Sequence, residues 1–105
     1  MAVVSMMRFS GDPDELTKAF DEMGPVTEQL AAKHGGLANI VARDADGLLV
    51  INVWETEEGR HAMAQEPQIL EGLRASGLPQ PDFTGYEILA LRVSDRLAAH
   101  ATSSW

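Results

Sequence analysis

Cysteine is absent from the 105 residues, which excludes disulfides, thiolate nucleophiles and sulfur-ligated metal or iron–sulfur centres. Basic residues are scarce. Eight Lys and Arg stand against 16 Asp and Glu, a net charge of −8. Such a chain has no stripe of cations to follow a phosphate backbone, and anionic membrane surfaces repel it. Neither nucleic acid nor membrane is expected as a partner. No apolar run approaches the roughly 18 residues of a membrane span. The apolar stretch Met1–Phe9 is too short for a secretory signal and lacks its basic flank, so a cytoplasmic protein is expected. A glycine-rich phosphate loop, a Ser/His/Asp order and metal-ligand spacing among the histidines and carboxylates are all missing. No metal, flavin or nucleotide cofactor is expected. What remains is a chain 45% apolar with no polar low-complexity tract, the composition of one compact domain.

Six elements and a short C-terminal helix follow from the pattern. Val3–Phe9 is rich in Val and Met and reads as a strand. Asp12, Pro13 and Glu15 form a helix start: a capping side chain, a proline at the first helical position and an acid three residues after the cap. The stripe Leu16, Phe20, Met23, Leu30, Ala31 continues that helix, with a kink or restart expected at Pro25. Lys33 and His34, followed by two glycines, end it. Leu37–Arg43 and Leu48–Trp54 are strands joined by Asp44-Ala45-Asp46-Gly47, a hairpin signal. Thr56-Glu57-Glu58 opens a second helical stretch through Leu73, broken at Pro67. Tyr86–Val93 reads as a fourth strand, and Ser94–Ala101 as a short helix capped by Ser94. Met6, Met7, Met23 and Met63 read as adaptable core filler.

The order β-α-β-β-α-β predicts an α+β, ferredoxin-like domain over residues 1–93, with a four-stranded antiparallel sheet and helices on one face. Residues 94–105 form a helical tail expected to contact a partner subunit. Both parities of the third strand are apolar, which a sheet with one wet face would not show. A homodimer through the non-helical sheet face is the economical solution.

A two-residue hairpin turn puts Leu37, Asn39, Val41 and Arg43 on one face with Leu48, Val50, Asn52 and Trp54. The opposite face holds Ala38, Ile40, Ala42, Leu49, Ile51 and Val53, all apolar, and this set is expected to meet the helices. The mixed face then carries the candidate ligand-binding residues Asn39, Arg43 and Val50 beside Asn52 and Trp54. Polar groups converging in an apolar lining suit a small-molecule pocket. Trp54 either seals the end of the sheet or touches ligand. Asn52, costly to bury unsatisfied, either pairs with Asn39 or meets ligand. His61 can be a base or ligand, or simply a solvated side chain in a first helical turn. His34 reads as a capping residue, and His100 is given no role.

The run Leu48-Leu49-Val50-Ile51-Asn52-Val53-Trp54-Glu55-Thr56-Glu57-Glu58, with a following helix and Pro67, resembles the antibiotic biosynthesis monooxygenase-like branch of the dimeric α/β barrel superfamily. The resemblance implies a homodimeric barrel with one pocket per subunit. Several members oxygenate electron-rich aromatic or quinol-like substrates with molecular oxygen and neither metal nor flavin. Others bind and degrade haem, or are isomerases or decarboxylases. Trp54 matches the strand-end tryptophan, and Asn52 lies in the strand where some members carry catalytic asparagines. The family's helix histidine falls in a window that here reads Met63-Ala64, and His61 stands only seven residues after Trp54.

Two functions compete on these residues. In the first, the protein is a cofactor-independent monooxygenase in which Trp54 stacks on an aromatic or quinol-like metabolite and Asn52, helped by Asn39, binds its oxygen. In the second, it is a non-catalytic dimeric binding or structural module whose same residues fill the barrel. Haem binding through His61 is a third reading.

Overall fold

The computed structural model describes residues 1–103. The chain runs β1 (Val3–Ser10), α1 (Pro13–Glu22), α2 (Gly24–Lys33), β2 (Gly36–Asp44), β3 (Gly47–Trp54), α3 (Glu57–Ala64), α4 (Pro67–Ser76) and β4 (Asp82–Glu87). One antiparallel sheet has the order β2-β3-β1-β4. This is the expected ferredoxin-like arrangement, with each expected helix divided in two.

The divisions fall at prolines. Asp12 accepts from the Asp14 amide at 2.8 Å and Pro13 opens α1. Pro25 has no N–H for the ladder, so the helix restarts as α2. Thr56 accepts from the Gly59 amide at 3.0 Å to cap α3, and Pro67 sits in the first turn of α4. Gly77 closes α4 in the left-handed conformation, φ 74°. At the junction of α2 with α4, Glu66 accepts from His34 Nε2 at 2.6 Å and from Lys33 Nζ at 3.2 Å.

The β2–β3 turn has two residues, Ala45 and Asp46, between the paired Asp44 and Gly47. Asp44 Oδ1 accepts from the amides of Asp46 (2.8 Å) and Gly47 (3.0 Å) and from Arg8 at 2.9 Å. The Arg8 guanidinium, then the Asp46 amide, hold the Asp44 carboxyl below its ordinary range. A Cβ at Gly47 would lie 1.9 Å from the Phe9 carbonyl oxygen, so the strand passes β1 there only as glycine.

The structure reverses the expected sheet faces. Leu48, Val50, Asn52 and Trp54 are buried, and in register with them lie Phe9, Met7, Ser5 and Val3 of β1. Trp54 and Val3 pack on Ala31, Met63 and Ile69 of the helices; Phe9, Leu48 and Val50 pack on Leu16 and Phe20. The mixed face is therefore the helix-facing one. The wholly apolar set Ala38, Ile40, Ala42, Leu49, Ile51 and Val53 lies on the open face, with Ile40 52% exposed. The hairpin parity itself is as expected: Asn39 opposes Asn52, and Arg43 opposes Leu48. What misled was side-chain size. Phe9, Trp54 and Leu48 share a face, and the helices cover the bulkier set although it is the less uniformly apolar.

The fourth strand is also displaced. It pairs with β1 from Asp82↔Arg8 to Glu87↔Val3, and beyond it only the Ile88 amide reaches Ala2, at 2.9 Å. Ile88–Val93 has strand-like composition but no strand partner among the described residues; Leu89, Leu91 and Val93 are exposed. The helix expected over Ser94–Ala101 is reduced to a 3₁₀ turn at Leu97–His100. Of the expected helical tail, Ser104 and Trp105 lie outside the described residues.

Glu66 generates the first prediction. Hydrogen bonds from His34 and then Lys33 keep its carboxyl below the ordinary glutamate value of about 4.3. A depressed folded-state value stabilises the fold above that pH, and the benefit is lost as pH falls through the lower folded value. Glu66→Gln should therefore lower Tm at neutral pH and by progressively less below pH ~4, as read by thermal melts across that range.

Candidate functional site

A cavity of about 190 Å³ lies between the helix-facing side of the sheet and the helices. Met7, Phe9, Val50 and Trp54 form its sheet wall; Phe20, Met23, Met63, Ile69 and Leu73 form its helical wall. Its polar side chains are few: Ser5, Thr27, Asn39, Asn52 and Arg60. Phe83 and Pro81 complete the rim. Phe83 also borders a wider cleft of about 460 Å³ along β4, where Glu57, Glu58 and Glu87 stand.

The polar groups reach the cavity because sheet registers align them. Asn52 in β3 faces Asn39 in β2 and Ser5 in β1 on the same level. Asn39 Nδ2 donates to Asn52 Oδ1 at 2.6 Å, so the two carboxamides satisfy one another in part. Thr27 is already engaged, its hydroxyl donating to the Met23 carbonyl at 2.9 Å. Trp54, only 4% exposed, is at once a member of the packed core and a wall of the cavity.

Among the described residues Arg60 supplies the cavity's one charged lining group. Its Nε donates to both Glu57 oxygens at 2.9 and 3.0 Å, and its guanidinium carbon lies 4.9 Å from the centre of the Phe83 ring. That hydrogen bonding holds the Glu57 carboxyl below its ordinary range. Charge, aromatic face and ion pair thus come together at the rim.

Of the candidate residues, Asn39, Val50, Asn52 and Trp54 are brought to one cavity. Arg43 is not: it donates to Asp14 at 2.8 Å, fastening the end of β2 to α1. His61 is exposed on α3 and does not line the cavity. Ser5, Arg60 and Phe83 were missed. Ser5 carries a readable signal, being the one hydroxyl at the parity of Val3, Met7 and Phe9. Arg60 stands three residues after Glu57, the spacing of a helical ion pair. Three of the four methionines read as core filler, Met7, Met23 and Met63, also wall the cavity. Among the described residues, no group of three or more His, Asp or Glu is placed to hold a metal ion.

No family model matches the chain, and no curated protein matches it. Solved structures do. SnoaB from Streptomyces nogalater, described as a cofactor-independent oxygenase, superposes with a TM-score of 0.69 over 86% of this chain and 95% of that one, at 18% identity. The fold is that of the antibiotic biosynthesis monooxygenase-like proteins. A candidate antibiotic biosynthesis monooxygenase from Chloroflexus aurantiacus matches with a TM-score of 0.66 over 89% of this chain and 98% of that one, at 13% identity. Another from Deinococcus radiodurans gives 0.64 over 90% and 99%, at 15% identity. At such identities the agreement is one of fold. In this monooxygenase-like fold, the cavity lies between sheet and helices, with β3 running through its floor.

The amide pair yields a stability prediction. Asn39→Ala would leave Asn52 Oδ1, on a residue 7% exposed, without its donor. The expected loss is about 1–3 kcal/mol in urea unfolding. Adding Asn52→Ala to that variant should cost less than Asn52→Ala alone, because the coupling is already gone.

Proposed function

We propose that the protein binds a small aromatic or quinol-like metabolite in the sheet–helix cavity and acts on it as a cofactor-independent monooxygenase. The observation that carries this reading is the cavity itself, a largely apolar pocket with Asn52 and Asn39 at its floor and Trp54 in its wall. SnoaB, a cofactor-independent oxygenase that shares the fold, supports the same class of reaction. In this reading Trp54 presents its ring to the substrate, and the Asn52 amide donates to the substrate oxygen. A donor fixed there stabilises the anion that forms when the substrate loses a proton. The anion then reduces dioxygen directly. For a ring methylene the balance closes on substrate and oxygen alone: CH₂ becomes C=O, one oxygen atom enters carbon and the other leaves as water.

A second reading rests on a specific observation. Among the described residues the cavity lining contains no carboxylate and no histidine, and its sole ionisable side chain is the Arg60 guanidinium. A base for the first proton must then come from solvent or from the substrate's own acidity. A non-catalytic binding module would show the same lining.

Oxygen uptake separates the two readings. With a readily ionised quinol, the wild-type protein should accelerate uptake well beyond the quinol's own autoxidation. Asn52→Ala should lower that rate by roughly 10²-fold, as for the loss of one oxyanion donor. Saturable quinol binding without accelerated uptake would establish the binding module instead.

We also propose that the open sheet face closes against a second copy of the chain, with the tail from Ser94 lying across the partner. Val4, Met6, Ile40, Leu49, Ile51, Val53 and Tyr86 share that face, and an apolar set of this kind is suited to cover by a second copy. Ile51→Asp, on the open face, should convert a dimer to monomer in sedimentation. Val50→Asp, in the core at 1% exposed, should unfold the chain.

A further inference from the structure

One level of the sheet crosses the cavity floor as a polar rung. Asn39 of β2 and Ser5 of β1 both oppose Asn52 of β3, and Gly85 of β4 opposes Ser5. Directly opposed residues bring their Cβ atoms to within about 4.5–5.5 Å. Asn39 uses the Asn52 carbonyl oxygen as its acceptor, which leaves the Asn52 amide nitrogen as a donor. Among the described residues neither that nitrogen nor the Ser5 hydroxyl has a hydrogen-bond partner. Yet Ser5 is 2% exposed and Asn52 7%, and both line the cavity. Both residues are buried in the fold, yet neither donor atom is fully enclosed by protein, so each stays open to the cavity, where one acceptor can reach both.

We propose that Ser5 is a ligand-binding residue: its hydroxyl and the Asn52 amide together hold one acceptor oxygen of a single-ring ligand. The inference rests on the reading of the cavity as a small-molecule site and adds to it both a residue and a size class. The size follows from volume. An apolar cavity of about 150 Å³ accommodates benzene, whereas drug-sized ligands occupy about 300–1,000 Å³. At about 190 Å³ the cavity has room for one ring with a short substituent. The oxygen is a conjugated carbonyl or a ring-borne oxyanion, because both protein groups donate. Arg60 does not compete for it, since its guanidinium is engaged by Glu57 and Phe83 at the rim.

Acetophenone and α-methylstyrene test the assignment, for they share shape and differ in C=O against C=CH₂. By calorimetric titration, the wild-type protein should bind acetophenone about tenfold tighter than α-methylstyrene. Ser5→Ala should cut acetophenone affinity about fivefold and leave α-methylstyrene affinity unchanged. The carbonyl stretch of acetophenone bound to the wild-type protein should fall below its value in hexane, a readout that needs no variant. Equal affinities in the wild type, an unshifted stretch, or equal weakening of both probes by Ser5→Ala would overturn the role of Ser5 while keeping the cavity as a binding site. Failure of acetophenone to bind the folded wild-type protein would overturn the small-molecule site, and the role of Ser5 with it.

Discussion

Everything in this molecule depends on which face of the sheet its helices cover. Four short helices shield one face only, and both faces of β3 are apolar enough to be covered. Phe9 and Trp54 decide the matter. Register places both on the side of Leu48, Val50 and Asn52, and burying two aromatic rings outweighs burying Ala38 and Ala42. With the bulky side inward, Phe9 meets Phe20 edge-on at 5.3 Å and Trp54 seats against Ala31, Met63 and Ile69. The small, uniformly aliphatic set is left outward.

The cavity and its chemistry follow from that choice. Covering the bulky face carries the level of Ser5, Asn52 and Asn39 indoors, where polar groups must find partners. The amides supply one hydrogen bond to each other, and the space above them is closed by flexible methionines and by Phe20 rather than filled. Charge is kept to the rim. Glu57 neutralises Arg60 there, and the Phe83 face accepts the guanidinium, so the interior stays apolar despite a chain with a net charge of −8. The outer cleft beside β4, by contrast, carries the carboxylates of Glu57, Glu58 and Glu87.

Local chemistry was readable wherever it is written in consecutive residues. Asp12-Pro13 and Thr56 start helices, Pro25 and Pro67 divide them, and Asp44-Ala45-Asp46-Gly47 sets a two-residue turn. The turn in turn sets strand parity, so the pairing of Asn39 with Asn52 could be worked out by arithmetic and is present at 2.6 Å. Arg43 was misplaced for another reason, while His61 is exposed on its helix, as one of its two readings has it. Parity gives a side chain's face but not its reach, and Arg43 at the strand end extends to Asp14 instead of inward. The fourth strand was shifted because Ile88–Val93 has the composition of a strand, while a ladder exists only where a partner lies alongside.

Composition, caps, prolines and turn chemistry thus settle the element order, the antiparallel hairpin and which residues share a face, because each is an interaction between near neighbours along the chain. They leave the inward face undecided. That is a comparison between two packings, each summed over β1, β3 and the helices, and no single segment contains its terms. The same holds for the cavity: Ser5, Asn52, Arg60 and Phe83 come from four elements, and only their assembly makes a space with two donors on its floor and one paired cation at its rim.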